Sequence, residues 1–235
     1  MILLDQSISA HVNDDPATIP TTLRGDRFGR HERTPARPLV LLASRSPRRV
    51  ELLKEAGVDF VVAQPLLNDA DLDPGARSAE QWVAAMAYLK AAAAQRQRLH
   101  VSSNTDRAVG VILGADTVVA HRDEIIGQPR DEADARRIIE RLADAEHDVL
   151  TGVAMLCPKT GRREIFIDRA TVNVGRLDER SVADYLASGM WRGKAGAYNL
   201  AERIAAGWPI TFTGDAGTIM GLPVKLVVER LARWS

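Results

Sequence analysis

Cysteine is nearly missing from this chain of 235 residues. Cys157 is the single one, which rules out an intramolecular disulfide and suits a reducing compartment. A charge excess is missing too: Lys plus Arg and Asp plus Glu each total 31, for a formal net charge of zero. Proteins that live on a nucleic acid backbone usually carry a basic surplus, because phosphate neutralisation dominates their affinity. No nucleic acid partner is therefore expected, and a small anionic ligand fits better than a polymer. Met1–Leu4 is apolar but short and lacks a basic flank, and no apolar run approaches membrane-spanning length. The expectation is a cytoplasmic protein with no membrane partner. His11, His31, His100, His121 and His147 show no zinc-ligand spacing, and no Gly-Lys-Ser/Thr phosphate loop occurs.

What is present is ample apolar material: 46% of the residues are hydrophobic, enough to bury a core without disulfides. Residues 1–38 carry scattered Asp, Arg, Thr and Pro without apolar periodicity and read as a flexible N-terminal extension. Residues 39–235 read as one domain. Leu39-Val40-Leu41-Leu42 is a continuous apolar run of the kind that forms a strand buried on both faces. Ser46-Pro47 then offers an N-cap and a proline at the first helical position, with the helix ending at Gly57. Phe60–Ala63 is the next strand, and Ser78 with Gln81 forms a capping box for a second helix carrying Trp82, Met86, Leu89 and Ala93.

Further strands are expected around 111–120, 149–157 and 164–174. Helices are expected after Asp131, after Asp178 and from Leu222-Pro223, and Gly193–Tyr198 is read as a loop. Strands and helices alternate first and strands dominate the middle, so the fold class is α/β with a mixed twisted sheet and flanking helices.

Four stretches carry candidate chemistry. Ala43–Arg49 lies between a strand and a helix, where unpaired amides, the Ser44 and Ser46 hydroxyls and guanidinium groups make a phosphate cradle. The same residues also read as an ordinary helix cap with solvated arginines. In Gly114-Ala115-Asp116-Thr117 an acid stands within an apolar strand, which is costly unless it is paired or bound to a metal. Asp116 could be a salt-bridge partner; with the cluster Asp69, Asp71 and Asp73 it could also hold a hard cation such as Mg²⁺. Lys90, one turn beyond Met86, sits at the margin of an apolar face and by itself reads first as a snorkelling surface lysine. Gly193–Tyr198, with Lys194, would let backbone approach a ligand. Cys157 reads as a packed thiol.

Taken in order, Leu-Ala-Ser-Arg-Ser-Pro-Arg-Arg (42–49), Gly-Ala-Asp-Thr-Val-Val (114–119), Leu-Thr-Gly-Val-Ala (150–154), Lys-Ala-Gly-Ala-Tyr (194–198) and Gly-Leu-Pro (221–223) resemble the Maf nucleotide pyrophosphatases. The resemblance implies two lobes around a central cleft, often a homodimer, and metal-dependent attack of water on the α-phosphorus of a nucleoside triphosphate. It implies Asp116 as proton acceptor, Asp69 and Asp116 in the environment of Mg²⁺ or Mn²⁺, and Ser44, Arg48 and Lys90 at phosphate-handling positions. Thr117, with Arg48, matches the branch acting on dTTP and UTP. Gln128 and Lys194 are further candidate phosphate contacts. Two departures stand out: Gln128 replaces the usual lysine of Gly-Lys-Pro, and Asn199-Leu200-Ala201-Glu202 replaces Gly-Ile-Gln-Gly. A second reading, a nucleotide-binding regulator of cell division or septum formation with little turnover, rests on those departures.

Overall fold

The computed structural model describes residues 38–67, 72–97, 108–122 and 124–234. The expected extension (apart from Pro38) and the acids Asp69 and Asp71 lie outside the described residues.

The first strand, β1 (Leu39–Ala43), is buried along its whole length, as its unbroken apolar run requires. It leads into α1 (Pro47–Glu55), entered through Ser46 with proline in the first turn. Next come β2 (Phe60–Ala63), α2 (Ala79–Arg96), β3 (Val109–His121), β4 (Glu124–Ile126) and α3 (Glu132–Leu142). The two long strands β5 (Ala145–Leu156) and β6 (Arg163–Val174) precede α4 (Glu179–Ser188). A 3₁₀ turn (Ala195–Ala197), α5 (Leu200–Ala205), β7 (Ile210–Thr213), α6 (Ala216–Met220) and α7 (Val224–Leu231) complete the chain. The capping box of α2 forms as the sequence predicts, and Asp131 and Asp178 cap α3 and α4. No described helix is long and apolar enough to cross a membrane.

The strands make a mixed seven-stranded sheet in the order β2-β1-β3-β5-β6-β7, with β4 on β3. β1 is parallel to β2 and β3, and the remaining pairings are antiparallel. This is the expected α/β class. The 13-residue β3 is the member common to both ends. On one edge it pairs with β5 over Ile112–Ala120. On the other it pairs with β1 up to Gly114 and with β4 only from Val119. Among the described residues, no strand covers that edge over residues 115–118. This leaves an opening at the carboxyl end of β1, where open sheets with parallel strands usually receive ligands.

The helix α2 lies unusually close over the opening's near side. A Cβ added at Gly114 or Gly152 would strike the α2 backbone at Ala87, Ala91 or Val83. Only glycine lets β3 and β5 approach the helix this way. The helix buries Val83, Met86, Ala87, Lys90, Ala91 and Ala94. These recur at the three- and four-residue spacing of a single stripe. Trp82 and Leu89, expected on that face, are only partly buried. Lys90, expected at the margin, stands within the stripe at 9% exposure. Separate apolar clusters form at the two ends. One packs α1 and α7 on β1, β3 and β5; another packs α3, α4, Trp191, Tyr198 and Trp208 on β5 and β6.

Candidate active site

Alternation along β3 sends Asp116 and Thr117 to opposite faces of the sheet. On the α2 face, the Lys90 ammonium donates to Asp116 Oδ1 at 2.7 Å, with both side chains largely buried. A lysine placed in an apolar stripe needs such a partner, because an unpaired buried charge is costly. Asp116 Oδ2 accepts no hydrogen bond among the described residues.

On the other face the organising group is Arg49, a residue the sequence reading did not single out. It shares the buried face of α1 with Leu52 and Leu53, at three- and four-residue spacing, and is 8% exposed. That spacing was the available signal, because a cation within an apolar stripe marks a fixed partner. Its Nε donates to the Gly221 carbonyl at 2.8 Å, Nη1 to Ser44 Oγ at 3.1 Å and Nη2 to Thr117 Oγ1 at 3.2 Å. One guanidinium thus ties together the first helix, the central strand and the α6–α7 junction. Ser44 Oγ also accepts from the Ser46 amide at 3.1 Å, folding the loop before α1 onto itself.

The bonds continue inward, and their direction follows from the chemistry of the groups. Thr151 Oγ1 donates to the Thr218 carbonyl at 2.8 Å, which uses its only proton. It must therefore accept from Thr117 Oγ1, 2.8 Å away. The Thr117 oxygen then receives Arg49 Nη2. The Thr218 hydroxyl in turn donates to Asp168. Thr151 and Thr218 are fully buried, so each hydroxyl left unpaired would cost about 1–3 kcal/mol.

The remaining candidates stand as follows. Arg48 is half-buried and makes no ion pair or hydrogen bond among the described residues. Gln128 is exposed in the loop after β4; its neighbour Gly127 accepts from the Gly196 amide at 3.1 Å, bringing that loop beside Lys194–Tyr198. The Lys194 ammonium is engaged by Glu202. Tyr198 hydrogen-bonds His147 Nε2 at 2.8 Å, and both are buried. Burial, helped by nearby His121, lowers the His147 pKa to about 4, and burial pushes the Tyr198 phenol above its ordinary value. Asp69 lies outside the described residues. The structure therefore brings Ser44, Thr117, Asp116 and Lys90 to one stretch of sheet.

A family model described as Maf-like protein matches residues 39–234. The chain is 34% identical over 194 residues to a dTTP/UTP pyrophosphatase of a Geobacillus species, covering 83% of this chain and 97% of that protein. It is 35% identical over 193 residues to the dTTP/UTP pyrophosphatase of Acholeplasma laidlawii, covering 82% and 95%. It is also 35% identical over 196 residues to that of Symbiobacterium thermophilum, covering 83% and 93%.

Proposed function

The chain belongs to the Maf-like protein family, and from that premise we propose that it hydrolyses a nucleoside triphosphate to the monophosphate and pyrophosphate. The observation that carries this reading is the convergence of the Arg49-centred loop and the Asp116–Lys90 pair on the uncovered edge of β3. Water attacks the α-phosphorus, the bond from that phosphorus to the bridging oxygen breaks, and pyrophosphate leaves. This chemistry asks mainly for positioning and positive charge. The Ser44–Ser46 loop and Arg48 receive phosphate oxygens, Lys90 orients the Asp116 carboxylate, and Asp116 Oδ2 takes the proton of the water. A regulator without turnover is the less favoured reading, since the relatives carry names of enzymes.

The donor set suits a divalent cation. Among the described residues nothing engages Asp116 Oδ2, and no three His, Cys, Asp or Glu side chains cluster. An ion here would complete its shell from water and phosphate, as Mg²⁺ does. Asp116 with Asp69 would hold Mg²⁺ or Mn²⁺, which when bound supplies charge that phosphate oxygens lean on. Preference for dTTP and UTP follows from the names of the relatives and from Arg48 and Thr117. Ala201 lacks the amide that a glutamine would offer a base edge, so the preference is expected to be shallow, about tenfold. A cytoplasmic location and assembly as a homodimer belong to the same proposal; the first rests on the single thiol and the second on the family resemblance.

The test is pyrophosphate release from dTTP, UTP, ATP and GTP, with Mg²⁺, with Mn²⁺ and with chelator. Release from none of them under any condition overturns the reading.

A further inference from the structure

A second buried arginine stands at the antiparallel end of the sheet. Arg203 of α5 is 8% exposed, and its guanidinium carbon lies 4.2 Å from the Tyr185 ring centre and 5.4 Å from that of Trp208. The two rings meet edge to face with centres 5.2 Å apart. Both are locked at their polar ends: the Tyr185 hydroxyl donates to the Ala197 carbonyl at 2.9 Å, and Trp208 Nε1 donates to Ser181 Oγ at 3.1 Å. This clamp holds the plane of the guanidinium but offers its N–H groups no oxygen. Among the described residues, Nη2 meets only the Met190 sulfur at 3.9 Å, a weak acceptor, and Nε is buried without any acceptor. The nearby acids are engaged elsewhere. Glu202 pairs with Lys194, Asp178 caps α4, and Asp184 lies 4.0 Å from Arg180.

Beside this arginine is a cavity of about 410 Å³ that it lines together with Tyr185, Trp208, Ser181, Asp184 and Met190. Ser44, Lys90, Asp116 and Thr117 take no part in it. The volume falls within the range of small-molecule sites and exceeds what a bare ion fills. Stacking on rings offsets only part of the cost of burying a guanidinium, and the rest calls for oxygen acceptors. We propose that this cavity is a second binding site, whose ligand is a small organic anion of low charge presenting carboxylate or phosphate-monoester oxygens to Arg203. The Met190 side chain, 41% exposed, supplies an apolar wall for its organic part. The lining sets Arg180 and Arg203 against the carboxylates of Asp178 and Asp184, a balance that leaves no surplus of positive charge, so nucleotide triphosphate and pyrophosphate are poor ligands here.

The experiment is a titration of the ¹⁵N-labelled full chain with benzoate, phenyl phosphate, inorganic phosphate, pyrophosphate and sodium chloride, at constant ionic strength. The indole N–H resonance of Trp208, assigned with Trp208→Phe, is the readout. Benzoate or phenyl phosphate is expected to shift it saturably, and which of them binds tighter identifies the source of the oxyanion. Arg203→Gln is expected to weaken that binding at least about tenfold, the scale of one charge-assisted hydrogen bond. Asp184→Asn is expected to tighten it about threefold by removing a like charge. A shift shared equally by all the salts, unchanged affinity in Arg203→Gln, or tighter binding of pyrophosphate overturns the site. If Arg203→Gln does not fold, Asp184→Asn decides, and absence of tightening overturns it. No activity enters the readout, so the outcome is independent of the pyrophosphatase assignment.

Discussion

Arg49 and Arg203 are equally buried, yet they are held by opposite means. Arg49 is fixed by oxygens: a carbonyl and two hydroxyls from three separate segments each take a different nitrogen. Arg203 is fixed by rings, which set its plane and leave the direction of its N–H groups unused. The difference shows what each end of the sheet is built to do. At the end with parallel strands, polar bonds place the loops whose side chains are proposed to meet the substrate. At the other end, aromatic bulk supplies cohesion and holds the Arg203 guanidinium in plane for the ligand proposed above. Perturbing the first end is therefore expected to cost activity, and perturbing the second to cost stability.

The sharpest way to draw that line is Asp116→Asn. It keeps the size of the side chain and an oxygen acceptor for Lys90 but removes the counter-charge, so the melting temperature is expected to fall by several degrees while the fold is retained. Turnover is expected to drop on the order of a hundredfold or more, through loss of the proposed proton acceptor and metal-binding charge. Near-normal turnover at saturating Mg²⁺ would erase the distinction between the two ends.

At the aromatic end, His147 makes stability depend on pH. Burial depresses its pKa to about 4, while the unfolded chain takes up that proton near 6.5. Its neutral form therefore supports the fold fully above about pH 6.5, and stability is lost as the pH falls from there to about 4. The loss amounts to about 3 kcal/mol across the window. His147→Gln is expected to abolish this slope in denaturant titrations while leaving turnover at neutral pH within about twofold. An unchanged slope would show that other groups carry it.

Thr151→Val tests the comparison from inside the polar chain. It strips the acceptor from the Thr117 hydroxyl and the donor from the Thr218 carbonyl, so the oxygen that receives Arg49 Nη2 loses its fixed direction. KM for the triphosphate is expected to rise about tenfold, the scale of one misplaced charged hydrogen bond. Thr151→Ser, which keeps the hydroxyl, is expected to restore it. Equal KM in both variants would make the chain a matter of packing alone. The smallest effect is expected from removing residues 1–33, whose lack of apolar periodicity leaves them little to bury. Activity and melting temperature are expected to stay nearly unchanged, and a large loss in either would assign that segment to the domain.

Much of the fold was legible because its long elements announce themselves. β1 is an apolar run, α2 carries its capping box, and α3 buries Ala135, Ile138, Ile139 and Leu142, the face that its spacing marks. The short elements α5, α6 and β7 escaped, since four to six residues hold too little periodicity to separate helix from strand. The site was legible in part for a similar reason. Asp116 betrays itself as an acid between apolar neighbours, whereas Arg49 looks like one more arginine in Arg-Arg until the stripe of α1 is laid out. The chain from Thr117 to Thr218 spans three remote segments, and nothing local in the sequence joins them.

The continuity of β3 has a consequence for how the molecule can deform. No loop divides its two ends: one strand of 13 residues runs beneath both, laced to β5 from Ile112 to Ala120. A hinge needs a few residues free to swivel, and this girder has none between Gly114 and Val119 on its β5 side. Movement of one end against the other must then be elastic torsion of the sheet, shared over many bonds and small at each. The amides of β3 and β5 that face each other there are expected to exchange with deuterium only on global unfolding. The floor under Asp116 is thus expected to stay rigid while the sheet flexes around it.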